Sequence, residues 1–269
     1  MSASPASPVS ARAAATVLLL RDRPQGMEVF MVVRHHEIDF ASGALVFPGG
    51  RVDPDDAAIA EALGGASHAT PIHVAAVRET FEECGVLLAR RRGEQGLVGA
   101  EVVQRLEAPR AALCRREAAF ADILAAEDLV PATDLLVHFA HWITPRTQPK
   151  RFDTHFFLTV APEDHLALHD GGEAVDSVWI RPADALDDAA NGRRKMIFPT
   201  RINLMKLARE TTAEASIGAA RSAPVITVEP EFVRAVPGGR ELRIPLAAGY
   251  GGEIFLAHDM PASGGAPPR

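Results

Sequence analysis

The chain has 269 residues, of which 47% are hydrophobic and 23% charged, enough to bury a full core in one elaborated domain or in one domain with an extension. Its formal net charge of −7 argues against general nucleic-acid binding, which needs a basic footprint to neutralise phosphates; a small anionic ligand stays open, because a metal ion and a few arginines set the field of a site. Two cysteines, Cys84 and Cys114, are too few for a zinc ribbon and fit a reducing compartment, and no apolar run is long enough to span a bilayer.

Residues 1–12, MSASPASPVSAR, lack the apolar middle of a signal peptide and read as a disordered arm, so the expected location is cytoplasmic. Residues 14–20 and 27–34 read as two strands joined by a turn containing Pro24 and Gly26. A third short strand, 45–47, runs into FPGG, a sharp glycine turn at 47–50, followed by a second turn over 51–56. AAIAEALGGASHAT, residues 57–70, reads as a helical turn, a glycine break and a polar approach to a helix capped by Thr70, opened by Pro71 and stopped by Gly85. Residues 86–88 read as a strand, and 101–128 as a peripheral helical cover broken at Pro109. Residues 135–144 and 151–160 form a hairpin whose bulk is Trp142, Phe152, Phe156 and Phe157. A strand at 175–180, a helix opening at 182–186, a helix over 199–220 and short strands at 224–229, 241–245 and 253–257 follow, before a disordered tail at 261–269.

Most of the chemistry lies in RETFEECGV. At about 100° per residue, Glu79, Glu82 and Glu83 share one helix face, while Val74, Val77, Phe81, Cys84 and Leu88 form an apolar stripe on the opposite one. Three adjacent carboxylates repel one another, and holding them together costs stability unless a cation offsets the charge. Mg²⁺ or Mn²⁺, which take oxygen ligands and keep several waters, would supply that offset. A solvated acidic face with Arg78 as an i, i+4 partner of Glu82 is the plainer alternative, and the glycine turn upstream weighs against it.

Gly50, Asp56, Arg78, Glu79, Glu82, Glu83, Gly85 and Val86 together resemble the Nudix box. Asp56 stands where that pattern has glutamate and Thr80 where it has an aliphatic residue. Twenty-one residues separate Asp56 from Arg78 where the family has seven, an insertion of fourteen at 57–70. The resemblance implies an α/β fold, the Nudix α/β/α sandwich with a mixed sheet, over residues 13–210, with a helical insertion over about 101–128 and a C-terminal α+β extension over 211–260.

HWITP at 141–145, KRFDTHFFL at 150–158 and the split box are similar to the acyl-coenzyme A diphosphatase branch typified by the peroxisomal Nudix 19 enzymes. Arg34 and Gly43 occupy two places of the wider coenzyme A signature, whereas Asp39 and His35 depart from it. The resemblance implies cleavage of coenzyme A or an acyl derivative to 3′,5′-ADP and a phosphopantetheine product. In that reading Glu79, Glu82, Glu83 and the Gly50 carbonyl hold Mg²⁺ or Mn²⁺, Arg78 orients the carboxylates, and Gly49 and Gly50 let the chain pass close to the helix. Arg34 and Gly43 would lie at the substrate, and a homodimer is the family-level expectation. Glu173, in the loop 170–173, is the candidate general base and Glu82 the alternative. Phe152 and Phe157 could stack on adenine, His35, His36, His155 and His169 could touch substrate, and either basic cluster, Arg90 to Arg92 or Arg193 to Lys195, could meet phosphate. Alternatives are an ADP-ribose or NADH-type dinucleotide pyrophosphatase and a catalytically silent nucleotide sensor.

Overall fold

The structure, a computed structural model, describes residues 9–34, 43–64, 68–165 and 174–258. Along the chain, β1 (Arg12–Arg23) turns back into β2 (Gly26–Arg34), and β3 (Leu45–Val46) and β4 (Gly49–Arg51) flank Pro48. Next come α1 (Pro54–Ala62), α2 (Pro71–Cys84), β5 (Ala89–Arg91), α3 (Ala100–Arg105), α4 (Glu107–Cys114), α5 (Phe120–Ala126) and β6 (Leu129–Pro131). The hairpin of β7 (Val137–Ile143) and β8 (Phe152–Val160) leads to β9 (Ala174–Ile180), α6 (Pro182–Ala190), α7 (Phe198–Leu207) and α8 (Ala213–Ser222). The last strands are β10 (Thr227–Val228), β11 (Glu231–Val236), β12 (Gly239–Arg243) and β13 (Ile254–His258).

β1 is the axis of the molecule. On one side it pairs with β8 in parallel from Arg12↔Phe152 to Leu20↔Val160; on the other its first half pairs with β4 and its second half with β2, both antiparallel. The mixed sheet has the order β10-β7-β8-β1-β2-β3, with β4 joined to β1 and β9 to β2. Successive side chains of a strand point to opposite faces, and both faces of β1 are covered. Ala15, Val17 and Leu19 pack with Val74, Val77 and Phe81 of α2 and with Phe120 and Leu124 of the inserted helices. Leu18 and Leu20 pack with Ile202, Leu204 and Leu207 of α7. Residues 17–20 are fully buried, and each such side chain contributes about 1.5–3 kcal/mol on leaving water, so β1 anchors both layers of an α/β/α sandwich.

Several elements differ from expectation for local reasons. The chain beyond Asp53 is the helix α1, so Asp56 lies in its first turn and not in a loop. Residues 86–88 are wholly buried but join no ladder, and the strand starts at Ala89. Pro109 sits in the first turn of α4, where no N–H is needed, and the helical stretch breaks at Leu106. The helix expected over 199–220 is two, because the Thr212 hydroxyl accepts from Ala215 N at 3.1 Å and caps a new start. β10 of the C-terminal extension joins the main sheet beside β7, while β11, β12 and β13 form a sheet of their own.

α2 starts at Pro71 as expected, but the Thr70 hydroxyl is spent on His73 Nδ1, 2.7 Å away, and not on the helix backbone. The His73 ring rests against Phe157 with centroids 4.8 Å apart. Burial, with His155 and His68 adding repulsion, pushes His73 down to about 4. Its folded value lies below the unfolded one of about 6.5, so the unfolded chain takes up this proton first and stability is lost as pH falls from about 6.5 towards 4. His73→Gln is therefore expected to lose less stability than the parent between about pH 7 and pH 5, read as the drop in Tm by circular dichroism; equal drops would remove His73 from the acid response.

Candidate functional site

The glycine turn lies against α2 and β1 through close contacts of its bare backbone. Gly49 has φ 150°, and a Cβ there would lie 2.2 Å from the Ala15 carbonyl oxygen and 2.6 Å from Thr16 Cα. Its N–H donates to Glu83 Oε2 at 2.8 Å. A Cβ on Gly50 would fall 2.5 Å from the Glu79 carboxylate, so the bare backbone is what lets that acid lie against the turn.

Arg78 is the buried node of the cluster. Its Nε and Nη2 donate to the two oxygens of Asp56 at 2.9 Å each, and Nη2 also donates to the Arg51 carbonyl at 2.8 Å. Nη1 donates to Glu79 Oε1 at 2.9 Å and to Glu82 Oε1 at 2.8 Å. Asp56, which is 0% exposed, also accepts from Asp53 N at 2.8 Å. The shorter acid thus reaches Arg78 because α1 carries it in as the third residue of a capping box. Burial opposes the charge on Arg78, but its hydrogen bonds to Asp56 and the fields of Glu79 and Asp56 outweigh that and keep the guanidinium protonated. Burial raises the Glu82 carboxyl above the usual range, with Arg78 pulling the other way.

The inserted helices support the C-terminal end of α2. Gly85 closes α2 in the left-handed region at φ 69°, and Arg110 Nε of α4 donates to the Phe81 and Glu82 carbonyls at 2.7 and 3.0 Å, satisfying acceptors that a helix end leaves open. Thr80, buried where an aliphatic residue was expected, returns its hydroxyl to the Ala76 carbonyl at 2.7 Å and leaves no unmet polar group.

Glu79, Glu82, Glu83, Gly49 and Gly50 line a cleft of about 2060 Å³. Trp142, Phe152, Phe156 and Phe198 line it with apolar surface, and Lys150, Arg194, Lys195 and Arg201 with cations. Arg201 stands over the Phe198 ring at 5.9 Å, with Nη2 donating to the Leu256 carbonyl. Among the described residues its partners are the Met205 sulfur and the Leu256 carbonyl and no carboxylate, and burial lowers its pKa.

A family model described as NUDT19 Nudix domain matches residues 65–207, just over half of the chain. The chain belongs to the Nudix hydrolase superfamily. Among its relatives, "Putative nudix hydrolase 7" of Caenorhabditis elegans is 27% identical over 198 residues, 74% of this chain and 61% of that protein. "Acyl-coenzyme A diphosphatase NUDT19" of Homo sapiens is 33% identical over 122 residues, 42% of this chain and 32% of that one. The matches thus span less than two thirds of either relative. The crystal structure of a NUDIX hydrolase from Alicyclobacillus acidocaldarius superposes with a TM-score of 0.65 at 31% identity, covering 78% of this chain and 96% of that one. No helix among the described residues is long and apolar enough to cross a membrane.

The Nudix acids, Arg78, Asp56 and the glycine pair therefore meet as their spacing implied, while other candidates separate. Glu173, Asp39, His35, His36 and His169 lie outside the described residues, as does the side chain of Arg34. Gly43 takes φ 68° and is not among the residues lining the cleft. Phe152 lines the cleft, but Phe157 is buried under α2 and cannot stack on a ligand there. Arg90, Arg91 and Arg92 are paired with Asp134, Glu127 and Asp128, whereas Arg194 and Lys195 reach the cleft. Arg110 and Arg201 were not legible as site residues; the one available signal for Arg201 is a helix with no acid three or four residues away. Away from the cleft, His141, Asp153 and His155 form a candidate metal-coordinating group, with ligand atoms within 4.8 Å of one another.

The two glycines of the Nudix turn should respond differently to the same change. Gly49→Ala drives a Cβ into backbone at a strained φ and is expected to cost about 3 kcal/mol or more. Gly50→Ala meets only the end of a side chain and should fold with a near-parental Tm, while displacing Glu79 and weakening Mg²⁺ binding. Thermal melts and Mg²⁺ titration of both variants check this, and comparable Tm losses would contradict it.

Proposed function

We propose that the protein is a metal-dependent diphosphatase that cleaves coenzyme A or an acyl-coenzyme A to 3′,5′-ADP and the corresponding phosphopantetheine. The observation that carries the reaction is the gathering of Glu79, Glu82 and Glu83 against the Gly49–Arg51 strand, with Gly50 leaving space that a Cβ would fill. The donors are all oxygens, which suits Mg²⁺ or Mn²⁺ held by the three glutamates and the Gly50 carbonyl. When bound, such an ion neutralises the diphosphate oxygens and acidifies a water.

The chain's own groups do the remaining work. Arg78 fixes two carboxylates and is itself fixed by Asp56, so the acids are set before substrate arrives. Gly49 N holds Glu83 in the same way. Water attacks one phosphorus, the bridging oxygen departs with the other phosphate, and a carboxylate takes the proton. Of the two acids considered as base, Glu82 lines the cleft. Arg201, desolvated and without a carboxylate partner among the described residues, gives the same cleft a cation suited to a further phosphate. A coenzyme A substrate also accords with the likeness to the NUDT19 Nudix domain and with the human relative's name.

The test is hydrolysis by the purified chain with Mg²⁺ or Mn²⁺ of coenzyme A, acetyl-coenzyme A, dephospho-coenzyme A, NADH, ADP-ribose and dinucleoside polyphosphates. Coenzyme A or its acyl form is expected to turn over fastest, with 3′,5′-ADP as product. Turnover of ADP-ribose without coenzyme A would overturn the substrate and keep the reaction; binding of nucleotides without hydrolysis would make the protein a sensor.

A further inference from the structure

β8 carries two sets of side chains, and only one serves the cleft. Phe152, Thr154 and Phe156 line it, while Asp153 and His155 alternate to the other face. On β7 the register shifts between His138 and Ala140, so that His138 stands opposite Phe157 and His141 opposite His155. Three residues apart, these histidines would fall on opposite faces of a regular strand; the bulge brings both to the face of Asp153 and His155.

The result is a convergent set of donors. Asp153 Oδ1 lies 2.5 Å from His141 Nε2 and 3.9 Å from His155 Nε2, and the two rings stack with centroids 4.0 Å apart. The far nitrogen of each ring is already engaged: His141 Nδ1 with Thr227 Oγ1 at 2.8 Å, and His155 Nδ1 with His138 Nε2 at 3.0 Å. Both Nε2 atoms are thereby turned towards the same carboxylate, which is the arrangement that outer partners impose on histidine ligands. The side chains of His141, His155 and Asp153 are 17%, 22% and 37% exposed, so an ion has a route in and room for a water.

We infer that His141, Asp153 and His155 form a binding site for a borderline transition-metal cation, with Zn²⁺ as occupant, separate from the hard-cation site of the Nudix acids. Two imidazoles and one carboxylate suit Zn²⁺, Ni²⁺ or Cu²⁺ and suit Mg²⁺ poorly. Bonds of about 2.1 Å at tetrahedral angles set ligand atoms roughly 3.4 Å apart, between the two separations found, so side-chain rotations suffice to close the site. A bound ion would tie β7 to β8 and, through Thr227, to the first strand of the C-terminal extension.

The inference is independent of the substrate and of hydrolysis. The full chain, stripped with chelator and returned to buffer with millimolar Mg²⁺, is titrated with ZnCl₂ in a calorimeter; Co²⁺ is added in parallel to read its visible absorption. One Zn²⁺ per chain is expected at this site, with Co²⁺ giving d–d bands. Asp153→Asn, a conservative change at a partly exposed residue, should weaken Zn²⁺ binding at least about tenfold with an unchanged circular dichroism spectrum, and His155→Ala should weaken it further. Glu83→Gln should leave this binding intact. Absence of Zn²⁺ binding overturns the inference, as does binding that survives both Asp153→Asn and His155→Ala or is lost with Glu83→Gln.

Discussion

Glu83→Gln is expected to lower kcat/KM for Mg²⁺-dependent hydrolysis by about a thousandfold while leaving Tm within a few degrees of the parent. The change keeps shape and an acceptor, so the amide oxygen still receives the Gly49 N–H that Glu83 Oε2 now takes at 2.8 Å. What it removes is one negative charge from a set of three facing the cleft, and a lost metal ligand removes several kcal/mol of transition-state stabilisation. Folding should not suffer in proportion, because the repulsion among Glu79, Glu82 and Glu83 falls when one of them is neutral. The same reasoning predicts a loss of Mg²⁺ affinity, so raising the metal concentration should recover part of the rate. Steady-state kinetics across a Mg²⁺ series, with thermal melts, separates the contributions. A loss smaller than about tenfold at every Mg²⁺ concentration would take Glu83 out of the metal set.

The extent to which the site was legible follows from how local its determinants are. The acid face, the apolar back from Val74 to Cys84 and the closing Gly85 depend on helix periodicity alone and appear where their spacing puts them, whereas Leu88 lies beyond the helix end. Asp56 was legible as the box acid but not as a helix residue, because the insertion that separates it from Arg78 folds into its own helix and presents it from one. Of the cleft's cations, Arg194 and Lys195 were legible only as one of two basic clusters and Arg201 not at all. Arg201 arrives on α7 after more than a hundred residues of intervening chain, and Arg194 and Lys195 are brought in by the segment ahead of it, so only packing decides which side of the sheet they serve. The histidine cluster was hidden for a different reason. Strict alternation places His138 and His141 on opposite faces, and nothing in the sequence announces the bulge that reverses this. Phe157 fails as a ligand contact by the same rule that admits Phe152: along β8 one parity faces α2 and the other the cleft.

Arg78→Met should destabilise the fold by about 3–5 kcal/mol, the scale found when one partner of a buried ion pair is removed. Asp56 is fully buried, and its only cationic partner among the described residues is the Arg78 guanidinium, which grips both of its oxygens. Without that partner the carboxylate must either stay charged in a poor solvent or take up a proton, and each alternative costs stability. The loss should therefore be repairable from the other side. In the double variant Arg78→Met, Asp56→Asn the amide oxygen can still accept from Asp53 N, no charge is buried unpaired, and most of the lost stability should return, giving a coupling energy of at least about 2 kcal/mol in a double-mutant cycle. Activity should not return with it. Glu79 and Glu82 lose the Nη1 that spans them, at 2.9 and 2.8 Å, whether or not Asp56 is neutral, so both variants should hydrolyse poorly. Urea denaturation with unchanged m-values measures the first effect and kcat/KM the second. Recovery of activity together with stability would mean that Arg78 acts only through the fold; recovery of stability alone assigns it to orienting the acids as well.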